Sequence, residues 1–154
     1  MESSRSARFV WLLDAQPPAV SPVQHVGRVL LGAALLVAGV GHLTWARTEF
    51  QAQVPSWVPI DADLVVLLSG VVEVALGAAL VLLVRRRVLL GWVAAAFFVA
   101  VFPGNVAQWA EGNDGFGLDT DAERAVRLVF QPVLVALALW STGAWAAWRR
   151  RPTG

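Results

Sequence analysis

Seven polar side chains stand in otherwise aliphatic or aromatic stretches of this chain: His42, Ser69, Glu73, Asn105, Gln108, Arg127 and Gln131. Glu73 lies in "LLSGVVEVALG", with Ser69 one helical turn before it. A bare charge at the centre of a bilayer costs at least ~2.5 kcal/mol, so a carboxylate there is rare and is usually partnered or used. Two readings stay open for Glu73. It is a protonatable group or ligand anchor, or it is a structural partner of His42 or Arg127. An imidazole titrates near neutrality, so His42 can carry a proton, contact a ligand or simply satisfy Glu73. One His and one Glu are too few ligands for a metal. His25, the other histidine, lies ~25 Å away along the same helix, which argues against a shared haem.

Absent residue types narrow the chemistry further. The chain has no Cys, no Tyr and no Lys; all 12 basic residues are Arg. Thiol redox chemistry, disulfides and thiolate metal sites are excluded. So are Schiff-base lysines and tyrosyl acid–base catalysis.

The elements that must hold these residues follow from hydropathy. The chain is 57% hydrophobic, with a mean hydropathy of +0.61. Its charges fall in short clusters between long apolar runs, the layout of a multi-span membrane protein. Four runs of about 20 residues match a ~30 Å hydrocarbon core, near 26–45, 64–84, 88–110 and 125–147. The expected fold is all-α, a polytopic four-transmembrane-helix bundle. Residues 1–24 form an N-terminal cytoplasmic or interfacial segment, 25–148 the membrane domain and 149–154 a basic tail. The patch "FVWLL" is too short for the apolar region of a cleaved signal peptide. With Arg5, Arg8 and Trp11, it either lies along the membrane surface or belongs to a disordered tail.

Arginine placement orients the chain. Arg85–Arg87 lie between spans two and three, Arg149–Arg151 follow span four, and Arg5, Arg8 and Arg28 precede or open span one. By the positive-inside rule both N and C termini face the cytoplasm. Trp45, Trp57 and Trp109 then fall at outer ends, and Trp92, Trp145 and Trp148 near inner ends, as an interfacial aromatic belt requires. Glu73 sits ~13 Å below the outer surface. His42, Asn105, Gln108, Arg127 and Gln131 all fall in the outer half as well.

Helical angles bring them toward one another. At 100° per residue, Gly70, Glu73 and Gly77 share an arc of about 60°, and Gly32, Gly39 and His42 one of about 80°. Glycines mark the packed side of a membrane helix, because they let backbones approach. The expectation is a polar pocket in the outer half of the bundle. In "AVFPGNVAQW", Pro103 and Gly104 are expected to kink span three and leave Asn105 at the break. In "VPSWVPID", Pro55, Trp57 and Pro59 form a rigid interfacial loop, either an anchor or a lid. The acidic loop lacks the spacing of a calcium-binding loop, and Thr120-x-x-Glu123 reads as a capping box.

Five motifs in order, "GVGHL", "VPSWVP", "SGVVE", "FPGN" and "RLVFQ", resemble the DoxX-like family of small bacterial membrane proteins, within the DoxX superfamily. The resemblance covers about residues 27 to 142 and carries over His42, Pro55, Trp57, Pro59, Ser69, Glu73, Pro103, Asn105, Arg127 and Gln131. Leu43 stands where the family usually has Phe, and Gly104 where it usually has Ala. The resemblance implies a membrane subunit of the kind associated with quinone-linked sulfur oxidation or redox homeostasis; distant relatives look like assembly chaperones.

The expected function is therefore an accessory subunit of the bacterial cytoplasmic (inner) membrane, without independent catalytic activity. Its outer-leaflet pocket binds a quinone-like or other hydrophobic molecule. No cofactor site is identifiable, and a quinone is the candidate ligand. Alternatives are a non-catalytic scaffold or assembly factor and, ranked lower, a proton-coupled transporter. Expected partners are the lipid bilayer, an oxidoreductase or other membrane protein, and a second copy of the chain, but not nucleic acid.

Overall fold

A computed structural model describes residues 17–117 and 120–150. The expectations for Arg5, Arg8, Trp11 and Arg151 lie outside the described residues. All elements in the described residues are helical: α1 (Pro22–Leu43), α2 (Arg47–Gln51), α3 (Ala62–Leu82), a 3₁₀ turn (Val84–Arg86), α4 (Arg87–Glu111), α5 (Asp121–Ser141) and α6 (Ala144–Arg149).

Each long helix starts or stops on a local signal. Ser21 and Gln24 form a capping box with Pro22 in the first turn of α1. α1 thus begins before the expected 25/26 boundary, because these cap residues belong to the helix. Asp61 caps α3 by accepting from the Leu64 N–H at 3.1 Å. Thr120 and Glu123 form the expected capping box of α5. Gly112 ends α4 in the left-handed region, at φ 68°.

Three expectations need correction. The fourth element does not run unbroken to residue 147. α5 stops at Ser141, Gly143 takes φ 73°, and α6 follows as a separate helix. A glycine just past a helix end adopts the left-handed conformation without a Cβ clash, so it terminates the helix. In addition, three stretches rather than four are long and apolar enough to cross a membrane: Pro22–Leu43, Ala62–Leu82 and Val84–Glu111. α5 carries Asp121, Glu123, Arg124 and Arg127 in its first two turns, which makes it amphipathic.

A third correction concerns α4, which is continuous through Pro103. Asn105 therefore sits on an intact helix rather than at a break. Pro103 leaves the Val99 carbonyl, four residues earlier, without its helical donor, and α4 is tied to α5 on either side of the proline. Asn105 bonds to α5, and the Gln131 side chain donates to the Phe98 carbonyl at 2.7 Å, five residues before the proline.

α1 packs chiefly on α3 and α4 on α5; lesser contacts of α3 with α4 and α1 with α5 close the ring. The core of Leu31, Leu35, Leu76, Leu80, Ala94, Ala95, Phe98 and Ala138 fills the centre. Large apolar side chains are turned outward: Leu30, Val37, Leu68, Val99 and Phe130 are each more than half exposed, while Glu73, His42 and Gln131 are buried. That inversion of the soluble-protein pattern suits a surrounding of lipid.

The two halves share a construction detail. Arg-Val-Leu-Leu-Gly occurs at 28–32 and again at 87–91. Arg28 donates to the Leu80 and Val81 carbonyls at the end of α3. Arg87 donates to the Thr142 carbonyl at the end of α5, at 2.8 Å, and to the Pro18 carbonyl. Each arginine is buried and satisfies carbonyls that a helix end leaves unpaired. The glycine four residues later lies under the same partner: a Cβ on Gly32 would meet Gly77 and Val81, and one on Gly91 would meet Thr142.

Candidate functional site

Two glycine contacts create the site. A Cβ on Gly39 would lie 2.7 Å from the Gly70 carbonyl oxygen and 2.9 Å from Glu73 Cβ; one on Gly70 would lie 2.7 Å from His42 Cβ. With no side chain at either position, α1 and α3 approach closely and bring His42 beside Glu73. His42 Nδ1 is 2.9 Å from Ser69 Oγ and 3.3 Å from Glu73 Oε2. His42 is 5% exposed and Glu73 8%. His42 Nε2 and Glu73 Oε2 are fully buried, and neither makes a hydrogen bond in the described residues. The 3.3 Å approach is thus a charge-compatible contact rather than an aligned hydrogen bond.

The opposite wall belongs to α4 and α5. Asn105 Nδ2 donates to Gln131 Oε1 at 2.9 Å. Gln108, 1% exposed, accepts from Arg127 Nη1 at 3.2 Å and donates to the Asn113 carbonyl at 3.3 Å. With its amide oxygen turned toward Arg127, Gln53 accepts from Nη1 and Nη2 at 3.1 Å and donates to Asn105 Oδ1 at 3.2 Å. The orientation is the one that satisfies both groups.

Between the walls lies a cavity of about 440 Å³. Among the seven polar residues singled out by sequence, His42, Ser69, Glu73, Asn105, Arg127 and Gln131 line it, and Gln108 supports Arg127 from behind. Pro55, Trp57, Pro103 and Gly104 also line it, whereas Pro59 does not. Apart from Gln53, the remainder is aliphatic or aromatic, including Leu31, Val66, Phe97 and Leu134. An apolar cavity with a few converging polar groups is the usual form of a small-molecule site.

The ion pair of Glu73 with Arg127 that the sequence offered is absent. Among the described residues, no carboxylate lies within 4.0 Å of Arg127. Its guanidinium is instead engaged by the amide oxygens of Gln108 and Gln53, and its Cζ lies 4.9 Å from the centre of the Phe116 ring.

Several site residues escape sequence reasoning because they come from loops and from the short helix α2. Phe50 on α2 packs edge-on against the His42 ring and stands 4.5 Å from Phe116, so aromatic rings connect His42 to Arg127. The Phe116 N–H donates to Glu49 Oε2 at 2.5 Å, and its φ of 59° is rare for a side chain of this size. Ser56 Oγ donates to Glu111 Oε1 at 2.9 Å, tying the Pro55–Pro59 loop to the end of α4. The left-handed Phe116 could not have been anticipated, although "NDGFG" marks a turn.

Fold and site together define a class: a small protein, helical throughout its described elements, with three helices long and apolar enough to cross a membrane and a cavity, apolar but for a few polar groups, between two helix pairs. Residues 31–142 match the family described as Domain of unknown function (DUF8561), and the chain belongs to that family. The match contains every cavity-lining polar residue named above. No curated protein and no solved structure matches the chain.

Proposed function

We propose that the protein is an accessory subunit of the bacterial cytoplasmic membrane that binds a quinone-like or other hydrophobic molecule with a polar head. The observation that carries this reading is the pair of buried atoms without hydrogen-bond partners, His42 Nε2 and Glu73 Oε2, on residues in the wall of an otherwise apolar cavity. Leaving such groups unpaired costs ~1–3 kcal/mol each, and a ligand carbonyl or hydroxyl can remove that cost. The DoxX-like motifs supply the redox context. Electrons would come from a partner oxidoreductase, since this chain offers binding and orientation rather than a redox centre.

In this reading all four long helices cross the membrane, with both termini cytoplasmic. The amphipathic start of α5 supports it: Arg127 and Gln131 line the cavity while Val126, Val129, Phe130 and Val133 are exposed. The cluster Arg85–Arg87 and Arg149–Arg150 then shares one side.

Purification in native lipid, followed by extraction and mass analysis, tests the proposal. An enriched quinone or other lipid-soluble molecule is expected, with at least tenfold less bound to the double variant His42→Ala/Glu73→Gln. No enrichment, or equal loading of both proteins, sinks it.

A second reading is a scaffold or assembly factor, favoured by an apolar groove of about 710 Å³ lined by α4, α5 and α6 residues such as Phe102, Val135, Trp140 and Trp145. It would show as a co-purifying membrane protein retained by the same double variant.

A further inference from the structure

Arg127 adds a constraint on the ligand that the His42–Glu73 pair does not. It lines the cavity as a cation with no carboxylate within ion-pair distance among the described residues. Every polar partner it has is a neutral amide oxygen. A cation partly removed from water and given only neutral acceptors is under-compensated.

The pattern of donors is informative. A guanidinium carries five N–H groups in a fixed plane. Gln108 and Gln53 engage Nη1, and Gln53 also receives one N–H of Nη2. The Nε–H and the remaining Nη2–H are left over. These two run parallel along one side of the guanidinium, as the fork that grips two oxygens of a carboxylate or phosphate. The Phe116 ring stands against the guanidinium, and Gln108 and Gln53 fix its plane, so little freedom is lost when the fork engages.

We infer that the cavity takes an amphiphile whose head is an anionic oxygen group, held by the Arg127 fork, with an acyl or similar apolar chain along the aliphatic wall. The inference rests on reading the cavity as a ligand site and narrows its ligand class. Two sources supply this chemistry: a free fatty carboxylate and the phosphate of a single-chain lipid. The tail would lie against Leu31, Leu35, Val66, Phe97, Phe98 and Leu134, which offer no hydrogen-bonding side chain.

The test is a native mass spectrometry titration of the detergent-solubilised full chain with palmitate, methyl palmitate, lysophosphatidate and decylubiquinone. Palmitate or lysophosphatidate should bind roughly 10- to 100-fold more tightly than methyl palmitate, the range of a charge-assisted bidentate contact. Whichever of the two binds more tightly identifies the source as carboxylate or phosphate. Arg127→Gln should bring acid and ester to equal affinity, and Arg127→Lys should keep part of the preference, since it retains charge without the fork. The acid–ester comparison in the unaltered protein needs no variant, so a folding defect in either variant leaves the result intact. Equal affinity for the anionic lipids and the ester overturns the inference. If decylubiquinone still binds in that case, the proposed function stands without it; if none of the four binds, both fall.

Discussion

His42 and Glu73 sit on different helices, and nothing between them is large enough to hold them apart. Seven residues separate Gly32 from Gly39 and Gly70 from Gly77, so both helices present glycines at the same interval and contact at two levels. Glu73 is therefore partnered by His42, itself fixed by Ser69. The sequence supplied this pairing as one of two options, and the structure removes the other for Arg127. The reason is local: two amide oxygens reach Arg127, and one belongs to Gln53 in a loop whose path no helical periodicity could reveal. At this scale, Asn105→Ala should destabilise the protein by about 1–3 kcal/mol, because it strands the buried Gln131 oxygen. Thermal unfolding in detergent measures it. Asn105→Asp, which keeps the shape but loses the donor, should be no better tolerated.

Helix α3 is held in place at three points along its length: an N-cap on Asp61, glycine contacts in its middle and Arg28 on its terminal carbonyls. The glycine face is readable from sequence. The role of Arg28 is not, since a lone arginine near a span end ordinarily reads as an orientation signal reaching for water. Its burial at 4% exposure instead makes it a helix cap made in trans. Arg28→Met should cost roughly 1.5–3 kcal/mol, the worth of hydrogen bonds to a charged donor, while Arg85→Met, on an exposed residue, should leave the melting temperature nearly unchanged. Gly70→Val should be worse than either and lower the yield of folded protein, because the added atoms meet His42 Cβ and the Gly39 carbonyl within about the same space. Gly104 has a subtler part. A Cβ there would stand 2.6 Å from the Gln53 carbonyl oxygen, so Gly104→Ala should shift the loop and weaken ligand binding more than it weakens the fold.

Over the whole molecule, α1 with α3 and α4 with α5 form two pairs that carry the same Arg-Val-Leu-Leu-Gly opening and enclose the cavity between them. Ligand sites at the junction of two structural repeats are common in membrane proteins. The proposed topology has a direct check, since the chain contains no native cysteine. Single cysteines at Ser56 and at Arg150 should react with a membrane-impermeant maleimide from opposite sides of the inner membrane, Ser56→Cys from the periplasm. Labelling of both from one side would overturn the four-span arrangement.

Helical class, three of the apolar spans, the Thr120–Glu123 capping box and the set of inward polar residues all follow from the chain as written. Composition, spacing and helical angle are local properties, and a bilayer's length requirement converts them directly into elements. Which polar residue meets which was decided only by tertiary packing. Contact between side chains on different helices depends on helix rotation and on approach distances of a few ångströms, both set jointly by all the neighbours. Packing likewise turned Arg28 and Arg87 into helix caps, brought Gln53 and Phe116 over from the loops and left Arg127 facing a cavity with part of its donor set unused.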